Sequence, residues 1–486
     1  MNWNLRSVIA VTLCEVLIVT AGSTAAAPVV ETSEAARSLP EDLRRSYLDL
    51  FRDAGSFRYS PAELERTRST LKAAQEKCTR EFKQRRDAFK RQLEQAQAEL
   101  KRNSSKLSEA QRHDLHCRIQ QLRVLQEQAD VLANNAIPVA YQNRLAKLDL
   151  IQNWPGQLRE IDQQMAAGSY HSRRWGDVKD IGFRQIQKGQ KDDIKIGQDA
   201  LRQMKLAGLM PKEVEDKAVV DYVKRIGENL AAHSDLQVPL NITILDSKEI
   251  NAFAFPGGYL FLERGLLEAV DNESELAGVM AHEMSHVVAR HGKRLMKKGT
   301  IAGIIFQAAQ VAAIVLTGGV AGIGTYYALQ YGFYGLGLVL NLQLLGVSRD
   351  YELEADQLGI QYAWNAGYSP DGFTEFFDKI ATKEGYINGT SWFRTHPPFY
   401  QRMADGEREI RFLPRKDLIV QSAGFENMKA ALTQVSAKAA EEEKGRPSLL
   451  SAEQGCAAPQ KVEYKPGQPI ETLCSTATVQ TIEARR

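Results

Sequence analysis

The chain has 486 residues, of which 43% are hydrophobic and 25% charged, and its formal net charge is +2. The length predicts two or three domains, and the composition is that of an ordinary globular protein able to bury a sizeable core. So small a charge, with no basic cluster interleaved with aromatics, gives no reason to expect nucleic acid as a partner.

Residues 1–27 read as a signal peptide. Arg6 supplies the positive start, Val8 to Val19 the apolar run, and Ser23-Thr24-Ala25-Ala26-Ala27 the small residues that a signal peptidase accepts. Glu15 interrupts the run, so an uncleaved amino-terminal anchor is the alternative. Either way the body of the protein is expected outside the cytoplasm. Without Cys14 there remain Cys78, Cys117, Cys456 and Cys474, an even set in a compartment that permits disulfides. Proximity along the chain favours Cys456 with Cys474.

Residues 28–170 are expected to form an α-helical hairpin or coiled-coil domain. Ser60-Pro61-Ala62-Glu63 opens a helix with a capping box and a proline where a missing N–H costs nothing. Leu64, Leu71, Cys78, Phe82, Phe89, Leu93 and Leu100 form its apolar stripe. After a break at Asn103-Ser104-Ser105, Ser108 to Gln111 caps a returning helix with Leu115, Ile119, Leu122, Leu125, Ala129 and Leu132 on one face. A turn near Ser104 puts Cys117 opposite about position 91, which disfavours a Cys78–Cys117 bridge. Helix continues to about Met165, with interruptions expected near Pro138 and Trp154-Pro155-Gly156. His113, His116, His171 and His233 have no ligand-like company and read as surface or packing histidines.

After Asp180 the pattern becomes mixed. Asp199 to Ala207 and Val214 to Ala232 read as amphipathic helices, and Leu240, Ile242 and Ile244 alternate as in a strand. Asn251-Ala252-Phe253-Ala254-Phe255-Pro256-Gly257-Gly258, followed by Tyr259 to Leu262, predicts an edge strand and a turn, because proline and paired glycines exclude a central strand. Such an edge near Ala254 can hold an extended peptide by strand addition; an ordinary hairpin is the plainer reading.

Asn272 and Glu275 then cap a helix that contains His282-Glu283-Met284-Ser285-His286. Two histidines four apart stand one turn above the other, so both imidazoles can reach one Zn²⁺, with Glu283 beside the metal as general base. A third histidine at the metzincin spacing is absent, since Gly292 occupies that position and His291 is off-pattern. The better third ligand is Glu352, one turn before Asp356, which can hydrogen-bond a ligand histidine. Glu354 is expected to point away from both and to be solvated. Between the two motifs, residues 299–348 contain no charged residue. Their frequent glycines and scattered glutamines favour an apolar hairpin that packs on the domain and dips into the membrane surface, with true spans as the alternative. Helices are expected over Arg349 to Ala366 and again after Pro370, then an amphipathic segment over 417–440. Residues 417–486 as a whole read as a linker, chiefly Ala437 to Gln454, and a small Cys-containing tail.

His282-Glu283-Met284-Ser285-His286, Glu352-Leu353-Glu354-Ala355-Asp356, Asn251-Ala252-Phe253-Ala254 and Thr395-His396-Pro397-Pro398 with Arg402 occur in an order that resembles one metallopeptidase family. It is peptidase family forty-eight, which contains the HtpX heat-shock protease, the CAAX prenyl proteases and the periplasmic assembly proteases of Gram-negative bacteria. The resemblance covers about residues 190–415. It implies a mostly helical α+β, gluzincin-like protease domain over residues 171–416, with a small sheet and an active-site helix. It also implies one Zn²⁺ per chain on His282, His286 and Glu352, Glu283 as base, and Asp356 behind a ligand. His396 matches a position near the metal, where it stabilises an oxyanion or fills the open site; a loop histidine beside two prolines is the plainer reading.

The function so implied is zinc-dependent hydrolysis of peptide bonds in misfolded or misassembled cell-envelope proteins, by a periplasmic, membrane-associated enzyme with envelope assembly machinery as a partner class. The alternative is a periplasmic chaperone or assembly factor with a latent site. A multi-span prenyl protease is disfavoured because a single long apolar region follows the signal. The periplasmic members often carry a helical-repeat domain after the protease, whereas here a hairpin precedes it, so their partner roles do not carry over.

Overall fold

Local capping chemistry sets where the hairpin begins and turns. In the computed structural model, which describes residues 38–168, 173–184, 186, 188–206, 210–248, 250–296, 349–383, 396, 400–444 and 456–457, two short helices, α1 (Leu39–Asp42) and α2 (Tyr47–Arg52), precede the long α3 (Pro61–Asn103). The Ser60 side chain accepts the Glu63 N–H at the start of α3. Ser108 and Gln111 bond each other's backbone N–H ahead of α4 (Glu109–Val131). Ala96, Leu115, Ile119 and Leu122 pack with Phe89, Leu93 and Leu100 near the turn of this hairpin.

A single π turn, Leu132–Ala136, passes the chain into α5 (Ile137–Ala166) just before Pro138. The second expected interruption does not occur, for Pro155 lies inside α5. Its neighbour Trp154 is fully buried, edge-on to Phe51 at 4.6 Å, and Arg68 on α3 pairs with Asp149 at 2.6 Å. Such packing offsets the one backbone hydrogen bond that a proline removes. The boundary expected after residue 170 falls outside the described residues, as do residues 1–27 and 299–348. Among the described residues, no helix is long and apolar enough to cross a membrane.

The rest builds the layer around the site. Helices α6 (Ile194–Leu206) and α7 (Lys217–Ala232) precede a three-stranded sheet of β1 (Asn241–Leu245), β2 (Ala252–Phe255) and β3 (Tyr259–Glu263), in the order β1-β3-β2. Strand β3 runs parallel to β1 and antiparallel to β2, with Phe253 opposite Phe261, so β2 is an edge strand. The turn between β2 and β3 needs Gly257 and Gly258, at φ 86° and 92°. A Cβ on Gly258 would stand 2.1 Å from the Pro239 carbonyl.

Helices α8 (Arg264–Ala269), α9 (Glu273–Val288) and α10 (His291–Met296) follow, then α11 (Arg349–Asn365), α12 (Asp371–Lys383), α13 (Tyr400–Phe412) and α14 (Ala423–Lys444). Helix α9 packs against α11, α12, α7 and β2. Helix α14 extends past Ala437, where the sequence suggested a linker. It buries Phe425, Met428 and Leu432, and Lys429 donates to the carbonyls of Leu267, Glu268 and Val270 at the end of α8.

The disulfide pairing differs from expectation. Cys456 is bonded to Cys117 on α4, with Cα atoms 5.4 Å apart, and not to Cys474. Cys78 on α3 is also disulfide-bonded. Nearness along the chain misled because the tail reaches the hairpin across 339 residues of sequence.

Candidate metal centre

Asn272 accepts the Glu275 N–H at 2.9 Å and starts α9, while Glu275 accepts the Asp271 N–H at 2.8 Å. The helix is buried nearly all round, so His282 and Glu283 are carried inside the protein, each at most 1% exposed. Gly359 lets α11 press against them, since a Cβ there would lie 2.9 Å from both Cα and N of His282. Gly278 does the same for α12 at the Phe373 backbone. Phe373 then stacks on the His282 ring at 5.2 Å and 15°.

One ligand atom from each of His282, His286, Glu352 and His396 falls within 4.8 Å of all the others. The Nε2 atoms of His282 and His286 are 3.1 Å apart, and His396 Nδ1 lies 3.2 Å from His282 Nε2 and 3.0 Å from Glu352 Oε2. Glu352 oxygens stand 3.8 Å and 3.7 Å from the Nε2 atoms of His282 and His286. Ligands about 2.0–2.1 Å from a tetrahedral ion stand about 3.3–3.4 Å from one another, so this spacing fits zinc. The buried Oε1 of Glu352 has no hydrogen-bond partner among the described residues, a further mark of a cation site.

Behind the cluster, Asp356 lies 2.9 Å from His282 Nδ1 and accepts two bonds, each 2.7 Å, from Arg402. Arg402 also stands 3.1 Å from Glu352. Burial pushes the Asp356 carboxyl up, but Arg402 outweighs it and holds it below its ordinary value. For Glu352 burial is likewise outweighed, by His396 and Arg402, and the carboxyl lies well below the usual range. Burial holds the His286 imidazole well below its ordinary value, against the attraction of Glu352. Burial also lowers His396, but Glu283 and Glu352 outweigh it and push it up to about 10. His396 Nε2 is 3.1 Å from Glu283 Oε1, so the ring bridges the two carboxylates. A metal in the cluster would compete for Nδ1 with the proton there.

The residues singled out in the sequence therefore converge, His396 included. Others were missed. Glu354, expected in solvent, is buried, 3.1 Å from His291 Nε2 and 3.0 Å from Arg294. It could not be read from helical spacing because its partners lie on α10, beyond the end of α9. His291, set aside as off-pattern, is 2% exposed with Nδ1 2.8 Å from His286 Nδ1. Arg402 carried no assigned role, and Gly359 gave no signal.

A model of Peptidase family M48 matches residues 218–409. Among curated proteins, the beta-barrel assembly-enhancing protease of Yersinia pestis is 30% identical over 221 residues, 44% of this chain and 43% of that protein. The mitochondrial metalloendopeptidase OMA1 of Schizosaccharomyces pombe is 29% identical over 37% of this chain and 50% of its own length. The metalloprotease LoiP of Escherichia coli is 31% identical over 199 residues, which are 39% of this chain and 73% of LoiP. The match thus spans less than half of the length of the assembly-enhancing proteases, but most of LoiP. With the family model placed over the cluster and a relative matched along most of its length, the chain belongs to peptidase family M48.

Proposed function

We propose that the chain is a zinc-dependent endopeptidase that holds one Zn²⁺ on His282, His286 and Glu352. The observation that carries this reading is the convergence of those three groups in one buried cluster, backed by Asp356 and Arg402. When bound, the metal would acidify a water and polarise the scissile carbonyl. Glu283, one residue after His282, takes a proton from the attacking water and returns it to the leaving amine. Asp356 keeps His282 oriented by accepting at Nδ1. Strand β2, near Ala254, is at the edge of the sheet among the described residues, and an extended peptide can lie along that edge.

The substrates we assign are misfolded or misassembled cell-envelope proteins. Three observations support this: relatives named as beta-barrel assembly-enhancing proteases, the signal-like start of the chain, and a Cys117–Cys456 disulfide of the kind that persists in oxidising compartments. We read residues 299–348 as the contact with the membrane surface. Purified Glu283→Gln should keep its zinc and lose cleavage of an unfolded protein substrate by about 10²–10⁴-fold. Cleavage at the wild-type rate would refute the assignment.

One observation favours a second reading, a chaperone or assembly factor with a latent site: His396 is already inside the ligand set. Full rescue of a deletion strain by Glu283→Gln would favour that reading, and loss of rescue the protease.

A further inference from the structure

We propose that His291 and Glu354 are positioning residues for the metal centre, joined to His286 in a hydrogen-bond chain that turns the His286 Nε2 lone pair toward the cluster. The inference rests on the zinc reading above and adds to it. Glu354 Oε2 lies 3.1 Å from His291 Nε2. A carboxylate only accepts, so that nitrogen carries the hydrogen. A neutral imidazole has one N–H, which leaves His291 Nδ1 as an acceptor. The atom 2.8 Å from it is His286 Nδ1, which must therefore donate. His286 Nε2 is then the nitrogen with the lone pair, and it is the atom that stands 3.1 Å from His282 Nε2. The reverse assignment would aim an N–H into the cluster and leave His286 unable to act as a ligand.

The backbone is shaped to allow this. On a continuing helix the residue five after His286 would point roughly 140° around the axis. Instead α9 ends at Val288, and Arg290 takes φ 55°, the left-handed region that a residue with a Cβ enters only at a steric cost. Among the described residues no other non-glycine does so. Asp193 grips the Arg290 guanidinium with two bonds, 2.6 Å and 2.7 Å, and so holds the reversal that folds His291 back onto His286. Tyr351 stacks on the His291 ring at 4.4 Å and 9°, and Arg294 donates to Glu354 at 3.0 Å. The two histidines of the motif thus have separate supports: a carboxylate directly for His282, and a histidine backed by a carboxylate for His286.

The test is zinc affinity of the full chain, by competition with a chromophoric chelator, beside thermal unfolding of the same samples. His291→Ala and Glu354→Ala should each bind zinc about 10–100-fold more weakly than the wild type. His291→Asn, whose side-chain oxygen can still accept from His286, should recover most of that loss. A purely structural pair would lower the unfolding temperature without this pattern of rescue. Wild-type affinity in both alanine variants would overturn the proposal while leaving the zinc reading intact. Absence of zinc binding in the wild type would remove both. A second measurement needs no variant: in the zinc-loaded wild type, nitrogen-15 NMR of histidine-labelled protein should find His291 protonated at Nε2. Protonation at Nδ1 instead would overturn it.

Discussion

Helix α9 and hairpin helix α3 both draw their stability from packing, yet they are packed differently. Helix α3 has 43 residues and buries Leu64, Leu71, Cys78, Phe82 and Ala96, a single stripe in a charged surface. Helix α9 has 16 residues, and every one of them except His286 is buried. A stripe writes its period into the sequence, whereas a helix covered on all sides does not. The same difference sets how much change each can absorb. Around α9 the neighbours are backbone at contact distance; along α3 most side chains face water, and a disulfide on α4 anchors the hairpin.

Three substitutions probe this contrast. The largest effect is expected for Gly359→Ala, because the added methyl meets the His282 backbone, which cannot step aside as a flexible side chain would. We expect a loss of about 3 kcal/mol and at least a tenfold fall in peptidase activity. Urea unfolding and cleavage rates measure both, and a wild-type response would erase the contrast. Next is Cys117→Ser, which removes the covalent link between Cys456 and α4 and should cost about 2 kcal/mol. Guanidinium unfolding with and without reductant reads it, since reductant should cost the wild type stability and leave a smaller effect in the variant, which keeps Cys78 bonded.

The smallest effect is at Glu407 on α13, whose carboxyl burial pushes up to about 7, against Arg411. Its folded value lies above its unfolded one, so the folded state keeps a proton that the unfolded state has lost. The stability this proton contributes is present in full below about pH 4.5 and is lost as pH rises through 7. Glu407→Gln should therefore match the wild type at pH 4 and exceed it by about 1 kcal/mol at pH 8. Equal stability at both pH values would show that the core around α13 tolerates charge.

What could be read without coordinates followed from locality. The caps at Ser60, Ser108 and Asn272 are chemistry within four residues, and in each the side chain accepts the backbone N–H three residues on, although Glu275 reaches back to the Asp271 N–H and not to that of Asn272. The edge position of β2 followed from Pro256, Gly257 and Gly258. His282, His286, Glu352 and Asp356 were legible because helical spacing alone brings the members of each pair together. His291 and Glu354 were not, since their meeting depends on a left-handed residue held by Asp193, almost a hundred positions earlier. The Cys117–Cys456 pairing was equally hidden, because it depends on where the tail returns and not on sequence distance.

That disulfide also changes what a peptidase can do to itself. Because it closes a loop that contains α5, the sheet and the whole metal cluster, one cut anywhere between Cys117 and Cys456 leaves a single covalent molecule. A nicked chain would migrate as two fragments only after reduction, so self-cleavage inside this loop changes the connectivity of the enzyme without releasing any part of it.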